Sequence, residues 1–246
     1  MIEIDLSGQV VAVTGAAQGI GAGIAARFAA AGASLVLPYR SAEPPTFGVP
    51  TATVQLDVVD PGAADALVDT AQSSFGRLDA VVNNAAIQTH AGIVDMTDDE
   101  WATMMDTNVT ACHRITQAFA RHAIERGGGG SVVHISSIEG TQPAVGHGHY
   151  GISKAALLMH TKVAALELGE HGVRVNAVSP GLIDRPGLAA DWPEGVGRWL
   201  DKAPLGRLGA ATDIGDACVF LCSPMAQWIT GANLVVDGGT SARSTW

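Results

Sequence analysis

Seven short runs of apolar, mostly β-branched residues alternate with longer amphipathic stretches, and that alternation leaves the chain few possible folds. Val10–Val13, Ser34–Leu37, Thr53–Leu56, Leu78–Val82, Ser131–Ile135, Val173–Val178 and Asn233–Asp237 read as strands. Helical spacing runs over Ile20–Ala31, Ala63–Phe75, Asp99–Glu125 and Tyr150–Glu170. Continuously apolar strands separated by helices imply a parallel sheet covered on both faces. Right-handed crossovers then make the fold α/β and doubly wound. One crossover is different: residues 43–50 include Pro44, Pro45 and Pro50, which forbid a regular helix, so a loop is expected there.

Between the first strand and first helix lies Thr14-Gly15-Ala16-Ala17-Gln18-Gly19-Ile20-Gly21. Glycines at 15, 19 and 21 allow a tight turn and close approach to a pyrophosphate, while the helix start offers free N–H groups and partial positive charge. Three glycines alone mean little; their place opening a βαβ alternation points to a dinucleotide. The second strand runs on into Pro38-Tyr39-Arg40-Ser41, with no acid to hold a ribose 2′-hydroxyl and an arginine suited to a 2′-phosphate. NADP is therefore preferred over NAD.

The chain has two tyrosines and places one at Tyr150, four residues before Lys154. On a helix the two share a face. A phenol ordinarily titrates near 10, and a neighbouring ammonium favours the phenolate, so the pair is expected to work as a general acid and base. Ser137 ends the fifth strand, where an open parallel sheet gathers its ligands. Asn84 follows the fourth strand. Asn108 falls within a helical stretch, where asparagine is unfavourable, and so suggests a local break.

Taken in order, these motifs resemble those of the short-chain dehydrogenase/reductase family, Tyr-x-x-x-Lys group. The match includes the glycine turn, Asn83-Asn84-Ala85, Asn108, Ser137, Tyr150/Lys154, Pro180-Gly181 and Ile229-Thr230-Gly231 with Val236-Asp237-Gly238-Gly239. The resemblance implies a single Rossmann domain over residues 1–246 with a seven-stranded parallel sheet. Its cofactor half would cover about 1–135, its catalytic and substrate half about 136–246, and a lid about 184–205. It further implies NAD(P)-dependent exchange of a ketone and a secondary alcohol, and a homotetramer. Tyr150 would exchange the proton, Ser137 orient the substrate oxygen, Lys154 bind the nicotinamide ribose, and Asn108 hold a relay water. Gly15, Gln18, Gly19, Ile20, Gly21, Tyr39, Arg40, Asp57, Val58, Asn84, Pro180, Gly181 and Ile183 would line the cofactor. Gln18 stands where many NADP-preferring relatives carry a base. Arg185-Pro186 replaces a common threonine, leaving Arg185 open to a phosphate or an anionic substrate.

Composition narrows the partners. A net charge of −10 argues against nucleic acid, which needs a basic surface. No apolar run is long enough for a membrane helix. Acids near the start, Glu3 and Asp5, are unlike a signal peptide, and three cysteines without paired spacing suit reduced thiols, so a cytoplasmic enzyme is expected. Only 15% of residues are charged, a hint of self-association. Cys218 and Cys222 share a helix face but lack further ligands, so they read as core and no metal site is assigned. Gln88, His90, Glu139, His147, His149 and residues 188–199 are candidates for the substrate-pocket wall, with His147 and His149 read as exposed imidazoles on a glycine-rich loop. Trp192 and Trp199 read equally as pocket wall or lid packing. The acidic chain disfavours a 3-oxoacyl substrate on an acidic carrier, although Arg121 and Arg126 leave that reductase as an alternative. A non-catalytic dinucleotide sensor or scaffold is a second alternative, opposed by four intact catalytic groups.

Overall fold

The computed structural model describes residues 4–242. Seven strands lie parallel in the order β3-β2-β1-β4-β5-β6-β7: β1 Val10–Val13, β2 Ser34–Tyr39, β3 Thr51–Gln55, β4 Ala80–Asn83, β5 Gly130–Ile135, β6 Val173–Pro180 and β7 Asn233–Val236. The order reverses direction between β1 and β4, the switch point at which doubly wound sheets bind ligands.

Eight helices alternate with the strands among the described residues: α1 Gly19–Ala30, α2 Ala63–Phe75, α3 Asp98–Met105, α4 Ala111–Glu125, α5 Gly148–Leu168, α6 Leu188–Asp191, α7 Pro193–Leu200 and α8 Ala211–Cys222. On one face α1 and α8 bury Ile24, Phe28, Ile214 and Cys218 against β1, β2 and β4. On the other, α2, α4 and α5 bury Leu67, Ile115, Phe119 and Ala165. Cys112, Cys218 and Cys222 are free and buried, and among them burial pushes the Cys112 and Cys222 thiols up to about 11.

The proline-rich stretch after β2 forms no helix, as expected. Strand β2 nevertheless continues through Pro38 to Tyr39. It pairs with β1 only through Val36, so Pro38 lies past the end of that ladder. The long helix expected over 99–125 is broken: a π-helical turn at Asp106–Thr110 separates α3 from α4. The Thr97 hydroxyl and Glu100 form a reciprocal capping box that sets the start of α3.

Candidate active site

The C-terminal edges of β4, β5 and β6 open onto a cavity of about 490 Å³. Of the residues expected to act, Ser137, Tyr150, Lys154, Asn84, Ile20, Pro180, Gly181 and Ile183 line it together. Ser137 follows β5 and accepts from the Glu139 N–H at 3.1 Å, which sets the turn leaving the strand. Tyr150 and Lys154 lie one turn apart near the start of α5.

Lys154 is buried, and its ammonium donates to the Ile135 carbonyl at 2.9 Å. Burial, opposed by the Cys112 thiol, lowers its pKa to about 8. The sequence argument expected the ammonium to lower the Tyr150 pKa; in the structure burial dominates and, with the Glu139 charge, lifts the phenol to about 12 against a hydrogen bond from Ser137. The phenol is therefore protonated at neutral pH, ready to donate.

Asn108 lies apart from the cavity, fully buried in the π turn. Its Oδ1 accepts from the Ile87 N–H at 2.9 Å, and its Nδ2 donates to the Ile87 carbonyl at 3.0 Å and to Ser153 Oγ at 3.1 Å. The break inferred from an asparagine within a helix is present, with the side chain committed to the backbone after β4.

The glycine turn fits a dinucleotide. Gly19 has φ +55°, and a Cβ there would meet open space, leaving a cradle that any side chain would fill. Gln18 makes no side-chain capping bond, so the first N–H groups of α1 face that cradle. Gly21 packs so tightly that a Cβ would fall 2.1 Å from the Gly15 carbonyl oxygen. Asn84 Nδ2 holds the turn from below, donating to the Thr14 and Gly15 carbonyls at 2.9 and 3.3 Å. Thr14 heads the glycine-turn motif, but the sequence alone assigned it no role. Its buried hydroxyl accepts from the Asn84 and Ala85 N–H groups, both at 2.9 Å, tying β1 to the end of β4. The signal available was a threonine at the strand end, level with the Asn-Asn of the next strand.

Gly15, Gln18, Gly19 and Gly21 at this turn, with Tyr39, Arg40, Asp57 and Val58 after β2 and β3, lie outside the cavity on the same edge of the sheet. Arg40 is largely exposed and sits 3.6 Å from Asp57 Oδ2. Tyr39 donates to Glu43 at 3.2 Å.

Two expectations change, those for His149 and Arg185. His149 is fully buried rather than exposed, with Nε2 2.8 Å from Thr89 Oγ1. His147 lies in the cavity wall, with Nδ1 2.9 Å from Glu139 Oε2. Arg185 reaches the cavity too, but is bound to Asp191 at 2.9 Å. Trp192 and Trp199 both line the cavity, and the Trp199 ring occupies the space beside Gly181.

A family model described as Enoyl-(Acyl carrier protein) reductase matches residues 15–241. The chain is 36% identical to 3beta-hydroxysteroid dehydrogenase 1 of Eggerthella lenta, covering 96% of this chain and 94% of that protein. It is 34% identical to the 3-oxoacyl-acyl-carrier-protein reductase of Escherichia coli K12, covering 96% and 98%. Among solved structures, L-sorbose reductase of Gluconobacter frateurii, complexed with NADPH and L-sorbose, superposes with a TM-score of 0.89 at 32% identity, covering 99% of this chain and 100% of that one.

Proposed function

This chain belongs to the short-chain dehydrogenase/reductase family, and we propose that it is an NADP-dependent reductase of free, polar carbonyl compounds that uses Tyr150 as its acid. It is an oxidoreductase dependent on a nicotinamide dinucleotide, interconverting alcohols and carbonyls. The observation that carries the proposal is the convergence of Ser137, Tyr150 and Lys154 in one cavity beside Asn84, Gly181 and Ile183. Bound at the glycine cradle, the reduced dinucleotide supplies a hydride. Ser137 holds the substrate oxygen, Tyr150 gives it a proton, and Lys154 holds positive charge beneath them. Asn108 fixes the backbone at Ile87 that shapes the cavity floor. The sugar-reducing structural relative that takes NADPH and the arginine after β2 both support NADP over NAD.

The carrier-bound alternative has less support. Arg121 pairs with Asp65 and Arg126 with Asp79, neither bordering the cavity, and Arg185 in the cavity wall is paired with Asp191, so none of these three offers an unpaired cation to an acidic carrier. We also read the protein as a cytoplasmic homotetramer. Ile152, Met159, Val163 and Leu166 form one exposed apolar stripe on α5, and Trp228, Leu234 and Val235 form a second patch around β7. Pairing of copies through each of two such regions would generate a dihedral assembly, and light scattering of the purified protein measures the result.

The test of the function is Tyr150→Phe assayed with NADPH and a panel of ketones, sugars and acyl thioesters. Turnover is expected to fall by roughly 10²–10⁴-fold while NADPH affinity stays nearly constant. Undiminished turnover would sink the mechanism; binding without turnover in the unaltered protein would favour a sensor.

A further inference from the structure

Resting on the reductase reading, we infer that Glu139 and His147 form a subsite for a hydroxyl group adjacent to the reacting carbon, which makes the substrates 2-hydroxy carbonyl compounds and the corresponding vicinal diols. Both side chains line the cavity beside Ser137 and Tyr150, with 20% and 24% of their surface exposed. His147 Nδ1 lies 2.9 Å from Glu139 Oε2. Donation from Nδ1–H to the carboxylate leaves Nε2 and the second carboxylate oxygen as acceptors. The pair is thus an acceptor site, matched to hydroxyl donors.

Its surroundings narrow the class further. The His147 and Tyr150 ring centroids are 6.2 Å apart, near enough for one small molecule to meet both residues through neighbouring oxygens. Gln88 also lines the cavity, with Nε2 3.5 Å from His147 Nδ1, and the His90 ring packs edge-on against His147 at 5.4 Å, so further polar groups surround the pair. Ile183, Leu188 and Trp192 add apolar surface to the lining, suited to the C–H face of a compact polyol. A plain alkyl chain would strip water from Glu139 and His147 and return no hydrogen bond, which disfavours acyl and other purely hydrocarbon substrates. An anionic substrate is disfavoured by the Glu139 carboxylate, with Arg185 already held by Asp191.

The chemistry balances simply. The carbonyl carbon gains the hydride, its oxygen takes the π-electron pair and then the Tyr150 proton, and the dinucleotide is left oxidised. The neighbouring hydroxyl keeps its own proton and donates it in a hydrogen bond to Glu139. Because the Glu139 charge also holds the Tyr150 proton more tightly, the same residue links recognition to proton transfer.

Acetoin and butan-2-one differ by one hydroxyl on the carbon next to the carbonyl, and both can be assayed with NADPH on the full-length protein. The inference expects kcat/KM at least about tenfold higher for acetoin. Glu139→Gln should bring the ratio toward one and move the rising limb of alcohol oxidation to lower pH, since removal of a negative charge eases loss of the Tyr150 proton. A purely structural contribution of Glu139 would not move that limb. His147→Phe should likewise reduce the ratio, with His147→Gln retaining part of it. Equal turnover of the two ketones by the unaltered protein would overturn the subsite while leaving the reductase reading in place. NADPH binding without turnover of any carbonyl in the panel would overturn both.

Discussion

The Lys154 ammonium lies 5.5 Å from the centroid of the Tyr150 ring and donates to the Ile135 carbonyl at the end of β5. Burial acts on both members of the pair but in opposite directions, pulling Lys154 down to about 8 and pushing Tyr150 up to about 12. At neutral pH the pair holds two protons, one on each residue. That is the state a carbonyl reductase needs and the opposite of what an alcohol oxidase needs.

The two reaction directions should therefore respond differently to pH. Carbonyl reduction is expected to hold level through neutrality and decline in alkaline solution, where Lys154 discharges first. Alcohol oxidation needs the phenolate and should rise with pH across the same range. Lys154→Met removes a cation 5.5 Å from the Tyr150 ring that favours phenolate, so its oxidation limb should move to higher pH. Profiles of kcat/KM in both directions measure this, and an oxidation rate insensitive to pH would contradict the assignment of Tyr150 as base.

Arg40 follows β2 with its side chain largely exposed and its guanidinium 3.6 Å from Asp57 Oδ2. A 2′-phosphate would offer it a stronger, charge-assisted partner. Arg40→Asp should weaken NADPH binding by roughly tenfold or more, the order expected for one such contact, and improve NADH binding through the ribose hydroxyl. Fluorescence titration with each nucleotide gives both affinities. A constant ratio would remove Arg40 as the selector.

Much of the architecture could be read because its physics is local. Apolar runs such as Val81-Val82 and Val132-Val133 can only be buried, and Tyr150 and Lys154 meet through helix spacing alone. Strand ends were less accurate: β2 runs past Leu37 because its ladder with β3 continues through Pro38 and Tyr39. Side-chain contacts made through loops or between strands carried a weaker sequence signal. Glu139 and His147 are joined by the loop between β5 and α5, His149 is buried against Thr89, and Thr14 clamps β4 from β1. Asn108 was the exception, because its poor helix propensity marked the π turn in advance.

Asn108 supports two expectations at once. Its amide satisfies both backbone groups of Ile87, so Asn108→Ala would strand a buried N–H and carbonyl and cost about 2–3 kcal/mol of stability. Asn108→Asp keeps the acceptor for the Ile87 N–H but loses the donor to the carbonyl, and buries a charge as well. Both variants should lower the thermal midpoint. The alanine variant should also reduce kcat with little change in NADPH affinity, since the glycine cradle is held by Asn84 and Thr14. A stable, fully active Asn108→Ala protein would mean that the π turn is maintained by other contacts.

Three histidines set the response to acid. Asn83 Nδ2 lies 3.2 Å from His134 Nδ1, His134 Nε2 lies 3.1 Å from His160 Nδ1, and His160 Nε2 lies 3.2 Å from His113 Nδ1. Thr116 gives its own hydroxyl proton to the Cys112 carbonyl and so accepts from Asn83 Nδ2. The Asn83 amide nitrogen therefore faces His134 as a donor, and donation runs outward from Asn83 to His113. A proton added at His134 Nδ1 would meet that donor inside the core. Burial, with the His160 and Lys154 charges, accordingly depresses His134 to about 3, and burial with His113 lowers His160 as well. An unfolded histidine binds its proton near 6.5. Between that value and about 3 the unfolded chain binds more protons than the folded one, so stability is fully present above 6.5 and is lost as pH falls. The loss should reach a few kcal/mol by about pH 4, on the usual conversion of a shifted pKa into stability. Urea unfolding at a series of pH values measures the slope. His134→Leu should lower stability at neutral pH, because it leaves Asn83 and His160 without their partner, yet flatten the slope between pH 6.5 and 4. An unchanged slope in that variant would assign the acid sensitivity to other groups.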